Sequence, residues 1–411
     1  MKKFLSKALW GLYISAALTV AGICGAAAYI DPSVVSFAAS AIGGILIAAG
    51  AVLFVWWRKV KLKVSTKLGI DENAKKEKEE DLVINGEDSA ASAAKGAAQD
   101  AAQNPEQSAP ADEPAVRQGP DGMSLTKSQF DLLRPLAEGE TDSAPATAEA
   151  AELTARGLLC AGRLTDAGLA ALEPYRVRRM VVLAAGFGSR LRPVTLRTPK
   201  PLVRVNGRRI IDSLLDAACA AGIEDIVLVR GYLGGQFDGL LEKYPCLRFV
   251  ENPHFLEMNN ISSVDAARDL LAGAYVAEAD LLYYEPRLVT RYQYGSNYLA
   301  IPTGHTDDWC FHTDAEGNIN RIAVGGDDCW QMVGLSYWTP EDGTRLGRDI
   351  HAALEMPDGA RLYWDEVPMR LHGGEYRVAV RPCRFGDVIE IDTFEELKAL
   401  DPSYADYPDE V

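Results

Sequence analysis

Cysteine is sparse in this chain. The seven residues (Cys24, Cys160, Cys219, Cys246, Cys310, Cys329, Cys383) are odd in number, scattered and without a C-x-x-C pair. That argues against a disulfide framework and against a zinc site, and fits a reducing cytoplasm. Histidine is sparse too: His254, His305, His312, His351 and His372 show no metal-ligand spacing and read as ordinary surface or core residues. Basic residues are outnumbered 42 to 58, giving a net charge of -16. Such a balance works against a large phosphate-binding surface, and no nucleic-acid partner is expected. What the chain does have is 411 residues, room for two or three domains, and 48% hydrophobic residues, enough for at least one large core.

The apolar residues are unevenly spread. Residues 8–30 and 34–57 form two runs without a lysine, arginine or glutamate, separated by Asp31-Pro32-Ser33. Each has the ~20 residues that a helix needs to cross a bilayer. A signal peptide is the plain alternative, given Lys2, Lys3 and Lys7, but the second run follows at once. The expectation is a transmembrane hairpin over 1–64. Arg58, Lys59, Lys61, Lys63 and Lys67 follow the second run, so the positive-inside rule puts both ends in the cytoplasm, with the protein on the inner membrane. Residues 65–122, rich in Ala, Glu, Lys and Gln, read as a disordered linker. Residues 123–178 read as a small winged-helix-like module: a capped helix from Thr126, space for one more helix, then a tight hairpin and a further helix. No basic recognition helix is visible in it, so a packing or spacer role is favoured over DNA binding.

The remainder, 179–411, alternates strand and helix patterns: IIDSLLDAACAAGI, EDIVLVRGY, LRFVEN and ISSVDAARDLL follow one another. This predicts an α/β domain with a doubly wound mixed sheet, whose ligands bind at the C-terminal ends of the strands. Its first strand, Met180 to Ala184, runs into Ala185-Gly186-Phe187-Gly188-Ser189-Arg190, where small residues let backbone amides approach an anion. Alone, such a loop is no more than a strand-to-helix turn. The sequel Thr198-Pro199-Lys200-Pro201-Leu202 holds a point cation between two prolines beside it. Together the two can cradle a triphosphate. Two other apolar runs end on carboxylates, at Asp280 and Asp392. Each alone suits a cap or a surface charge; beside a triphosphate loop they become candidate Mg²⁺ ligands.

From Arg179 to about Leu400 the sequence resembles the bacterial Lic-type choline-phosphate cytidylyltransferases. The resemblance is carried by LAAGFGSR, TPKPL, VRGYLGGQFD, ENPHFLEMNNISS, EADLL, TDDWC, GLSYW, LYWDEVPM and DVIEIDTFEEL. It implies a nucleotidyltransferase that joins CTP and phosphocholine into CDP-choline and pyrophosphate. It further implies that Leu183, Ala184, Ala185, Gly186, Gly188 and Ser189 bind the triphosphate with catalytic Arg190 and Lys200. By the same resemblance Gly231, Asn259, Asn260 and Ser262 lie near cytosine and ribose, Asp280 and Asp392 hold Mg²⁺, and an aromatic choline pocket forms at Trp309, Tyr337 and Tyr363 with Asp365 beside it. Aromatic faces suit a quaternary ammonium, although large aromatics are more often core. A sugar 1-phosphate is the alternative acceptor, and a membrane-tethered nucleotide-binding regulator the alternative from another class; a regulator would be expected to have lost Lys200 or a metal-ligand carboxylate. The attacking phosphate is already ionised, so no general base is needed.

Overall fold

The computed structural model describes residues 124–408. The expected hairpin at 8–30 and 34–57 and the linker at 65–122 lie outside the described residues. Among the described residues no helix is long and apolar enough to cross a membrane.

A small helical module comes first. Helix α1 (Lys127–Ala137) starts at Thr126, whose hydroxyl accepts from the Gln129 N–H while the Gln129 side chain returns to the Thr126 N–H, which satisfies two of the donors a helix start leaves open. Helix α2 (Ala148–Ala155), the hairpin β1 (Leu159–Cys160) and β2 (Arg163–Leu164), and α3 (Asp166–Leu172) complete it. Phe130, Leu133, Leu153, Leu158 and Tyr175 form its core, which Tyr292 of the large domain closes. Glu138 fixes the junction by accepting the N–H groups of Arg291 (2.7 Å) and Tyr292 (3.3 Å). The order of helix, helix, hairpin and helix is the one expected for 123–178. The hairpin strands pair only with each other, and α2, with sequence AEAAELTA, carries Glu149 and Glu152 and no basic residue. The module packs against the large domain through Tyr175, Tyr292 and Glu138.

The large domain is built on β3 (Arg179–Ala184), β6 (Asp225–Arg230), β7 (Leu247–Glu251), β8 (Ala274–Glu278), β10 (Asn297–Thr313), β11 (Ile319–Trp338) and β12 (Ala379–Pro382). Short ribbons β4 (Arg204–Val205) with β5 (Arg208–Arg209), and β9 (Leu281–Tyr283) with β13 (Val388–Glu390), stand beside the sheet. The sheet runs β12-β10-β11-β8-β3-β6-β7, with β11 antiparallel to both of its neighbours and the other pairings parallel. The mixed doubly wound sheet expected from the alternation is therefore present. One detail differs: β13, whose end carries Asp392, is not in this sheet but pairs antiparallel with β9.

Alternation along β3 divides the core. Met180, Val182 and Ala184 face α4 (Ile210–Ala221), which ends at Gly222 with φ 79°. Val181 faces the other layer, with α5 (Ile261–Ala266) and α6 (Pro340–Leu354). Only a sheet covered on both sides buries successive strand residues in this way. The last described α-helix, α7 (Phe394–Leu400), opens with a second capping box, Thr393 with Glu396.

Leu153 is fully buried in the module, so Leu153→Ala should cost about 2–5 kcal/mol there. Hydrogen exchange should show protection lost across α1–α3 and kept in β3, β6 and β8. Equal loss in both regions would show that the module is part of one indivisible core.

Candidate active site

Beside β3 the strand order reverses: the chain goes from β3 outward to β6 and β7, then returns to β8 on the other side. The crevice outside the carboxyl ends of β3 and β8 is where such a sheet takes a ligand. The glycine loop follows β3 there, and Asp280 follows β8.

After Ala184 the chain turns into the glycine loop. Leu183 is half-buried and its carbonyl accepts the Ala279 N–H at 3.2 Å, so β3 and the β8 end are tied where they meet. Ala184 and Ala185 are buried, Gly186 is exposed, and Ser189 opens a short 3₁₀ turn through Leu191. Gly188 has φ 66°, and a Cβ there would lie 3.0 Å from Lys200 Cβ. Only glycine meets both conditions without strain. Thr195 Oγ1 donates to the Gly188 carbonyl at 2.9 Å and holds the turn. The backbone N–H groups of Gly186, Phe187, Gly188 and Ser189 donate to no group among the described residues, which leaves a row of amide donors for an anion. Phe187 packs edge-on to Tyr232 at 4.5 Å, with the Arg192 guanidinium 4.5 Å from the Phe187 ring centroid.

Lys200 is 8% exposed. Its Nζ donates to Asp280 Oδ2 at 2.7 Å and to Asp392 Oδ1 at 3.3 Å. Arg190 Nη2 lies 3.4 Å from the same Asp392 oxygen. Burial alone would drive the proton off Lys200, but Asp280, Asp392 and Glu390 outweigh it and raise its pKa above the usual lysine value. Burial likewise pushes Asp392 upward, and Lys200 and Arg190 reverse that, leaving its carboxyl below the usual range. Pairing of β9 with β13 brings the two aspartates together, since Asp280 precedes β9 and Asp392 follows β13. Each neighbouring element is pinned in turn. Ser213 on α4 accepts the Tyr283 N–H at 3.0 Å, and Glu396 accepts the Asp392 N–H at 2.9 Å.

Among the described residues no group of three or more His, Cys, Asp or Glu is arranged to hold a metal ion. The donor set nevertheless suits one that keeps its waters and phosphate oxygens: Asp280 Oδ1 is buried with no hydrogen-bond partner, beside Asp392. Such a cation needs only one or two carboxylates.

Other expected residues have different surroundings. Gly231 is bare because the Phe255 ring sits where a Cβ would go, 2.6 Å from its Cγ. Asn259, Asn260 and Ser262 are engaged in hydrogen bonds within the protein: Asn259 Nδ2 donates to the Arg361 carbonyl, Asn260 Oδ1 accepts the Trp364 N–H, and Ser262 Oγ donates to the Asn259 carbonyl. Trp309 and Tyr363 do meet, with ring centroids 5.7 Å apart and planes at 63°. Tyr337 does not join them. It is 1% exposed and packs edge-on to Tyr275 in the core, because it lies beyond Gly334 toward the start of β8. Asp365 is 2% exposed and accepts from the Tyr298 hydroxyl at 2.7 Å, so it is buried as a structural partner of Tyr298.

Two acidic residues escaped the sequence reading. Glu278 and Glu390 are held well above the usual carboxylate range, first by burial and then by the charges of Asp280 and Asp392 respectively. Gly334 makes the room, since a Cβ there would lie 2.4 Å from Glu278 Oε2. The signal was the repeated pattern Glu278-Ala279-Asp280 and Glu390-Ile391-Asp392.

A switch-point crevice with open loop amides, a buried lysine and paired aspartates defines an enzyme of nucleotidyl transfer. The nucleotidyl transferase family model matches residues 179–268. The chain is 40% identical to the 2-aminoethylphosphonate cytidylyltransferase of Lancefieldella rimae over 54% of this chain and 92% of that protein. It is 30% identical to the choline-phosphate cytidylyltransferase of Streptococcus pneumoniae over 54% and 96%. Among solved structures it is similar to the CTP:phosphocholine cytidylyltransferase of Streptococcus pneumoniae, with a TM-score of 0.52 and 30% identity, over 56% of this chain and 99% of that one. The chain belongs to the nucleotidyltransferase family, among its cytidylyltransferases.

Lys200→Ala should lower kcat by ~10²-fold or more, measured on protein shown folded by circular dichroism. Near-normal turnover would remove Lys200 from the chemistry.

Burial raises Asp365 to about 7, with Tyr298 opposing, against about 3.9 in the unfolded chain. Between those values the native state binds more protons than the unfolded one, so stability falls as pH rises from about 4 to about 7. Asp365→Asn keeps an acceptor for Tyr298 and should abolish that fall. Its Tm relative to the parent should climb between pH 5 and pH 8; a pH-independent difference would show that Asp365 is ionised throughout.

Proposed function

We propose that the enzyme transfers the cytidylyl group of CTP, with Mg²⁺, to a small acceptor bearing a phosphonate or phosphate at one end and a cationic nitrogen at the other. The single observation that carries the reaction is the buried Lys200 between Asp280 and Asp392 beside the loop amides. An acceptor oxygen, already anionic, attacks the α-phosphorus and pyrophosphate leaves in line. Lys200 and Arg190 offset the growing charge, the amides of Gly186 to Ser189 hold the departing phosphates, and no side chain need take a proton. Asp280 and Asp392 would hold the Mg²⁺, which supplies further charge neutralisation when bound.

For the acceptor, 2-aminoethylphosphonate is the first choice. The 40% identity to a protein of that named activity supports it. So does the incomplete aromatic cage: with Tyr337 in the core, the Trp309–Tyr363 pair remains. A primary ammonium seeks hydrogen-bond acceptors more than ring faces, and Asp307 and Asp308 adjoin Trp309. Phosphocholine is the second reading, favoured by that same pair, since a desolvated cation over aromatic faces gains ~2 kcal/mol or more.

The full chain would be given CTP with 2-aminoethylphosphonate, phosphoethanolamine, phosphocholine and glucose 1-phosphate, and pyrophosphate followed. The aminophosphonate should have the highest kcat/KM, and EDTA should stop release until Mg²⁺ is restored. A preference for phosphocholine would reverse the order of the two readings, and preference for the sugar would sink both. Turnover unaffected by EDTA would remove the metal.

A further inference from the structure

Hydrogen bonds from the start of α5 run across the site toward its aromatic end. Asn260 Oδ1 accepts the Trp364 N–H at 3.0 Å. Asn259 donates its backbone N–H to the Ala360 carbonyl at 2.8 Å and its Nδ2 to the Arg361 carbonyl at 3.2 Å. Two consecutive asparagines thus hold segment 360–364, which carries Tyr363, at three points.

Behind them the chain of bonds continues inward. Ser262 Oγ donates to the Asn259 carbonyl at 2.8 Å. Asn252 Nδ2 in turn donates to Ser262 Oγ at 2.9 Å and Ser263 Oγ at 3.1 Å, and the Asn252 N–H reaches the Arg230 carbonyl at 2.9 Å. Asn252, Ser262 and Ser263 are 2%, 5% and 5% exposed. The relay therefore starts at the carboxyl ends of β6 and β7 and finishes on the backbone beside Tyr363. Its inner links, Asn252 with Ser262 and Ser263, are buried, and a hydrogen-bonded chain anchored in this way rigidifies what it touches.

We infer that Asn260 is a positioning residue for the acceptor: by fixing the Trp364 amide it sets the Tyr363 ring against Trp309, 5.7 Å away. This rests on the reading that the Trp309–Tyr363 pair receives the acceptor's nitrogen end. It differs from a role in reading cytosine or ribose, because the Oδ1 contact is with the protein. The two roles separate chemically. Asn260→Asp keeps an oxygen for the Trp364 N–H and removes the Nδ2 donor with which a base would be read; Asn260→Ala removes both.

The test is kinetic and also independent of turnover. With CTP and 2-aminoethylphosphonate, Asn260→Ala should raise the acceptor KM about tenfold, the scale of one lost hydrogen bond to a rigid partner, and leave the CTP KM within about twofold. Asn260→Asp should bring the acceptor KM back to within about threefold of the parent. Hydrogen exchange on the full chain should show faster exchange of segment 360–366 in Asn260→Ala and not in Asn260→Asp. A CTP KM raised more than the acceptor KM in the alanine variant, or exchange unchanged by it, would overturn the inference. If the alanine variant fails to fold, Asn260→Asp decides: parent-like exchange and CTP KM uphold it, and a raised CTP KM with parent-like exchange rejects it. Since exchange needs no substrate, failure of the acceptor assignment itself would appear separately, as absent turnover in the parent.

Discussion

The ion pair of Lys200 with Asp280 and Asp392 governs the rest of this structure. A buried ammonium is unfavourable by itself, and two carboxylates in contact with it reverse the sign. Satisfying that one cation brings together the turn after the glycine loop, the end of β8 and the end of β13. Gly188 is bare so that the loop can lie on the lysine stem, Thr195 holds that loop, and the α7 capping box points Asp392 inward. The same group is then available to meet phosphate charge.

The site is short of cations. Glu278, Asp280, Glu390 and Asp392 converge where Lys200 and Arg190 supply the positive charge. Two of the carboxyls answer by remaining above their usual pKa.

Much of this was legible in the chain. The apolar run of β3, the small residues after it and the proline-flanked lysine put loop and cation side by side, as they are in the fold, because local backbone constraint and charge are written locally. What failed was the placing of Tyr337. Tyr337 and Trp338 are neighbours on β11 and point to opposite faces, yet both are buried because both faces are covered; an aromatic run cannot tell a pocket wall from a core. Nor could the sequence show that β13 leaves the main sheet, since a three-residue strand has no periodicity to read. The family pattern implied Asn259 and Asn260 for the nucleotide, and only the fold shows that their bonds go to segment 360–364.

The ribbon of β9 and β13 also sets the order in which the molecule becomes complete. Lys200 meets Asp280 across 80 residues of sequence and Asp392 across 192. Local units such as the β3 loop and α4 can form early, but bringing the more distant aspartate home must first overcome the entropy of closing a very long loop. Until it does, the lysine has one counter-charge and Ile391 and Phe394 have not yet joined Leu191 and Val194 in their shared cluster. Closing that one long loop gives Lys200 its second counter-charge and completes the Leu191, Val194, Ile391 and Phe394 cluster together.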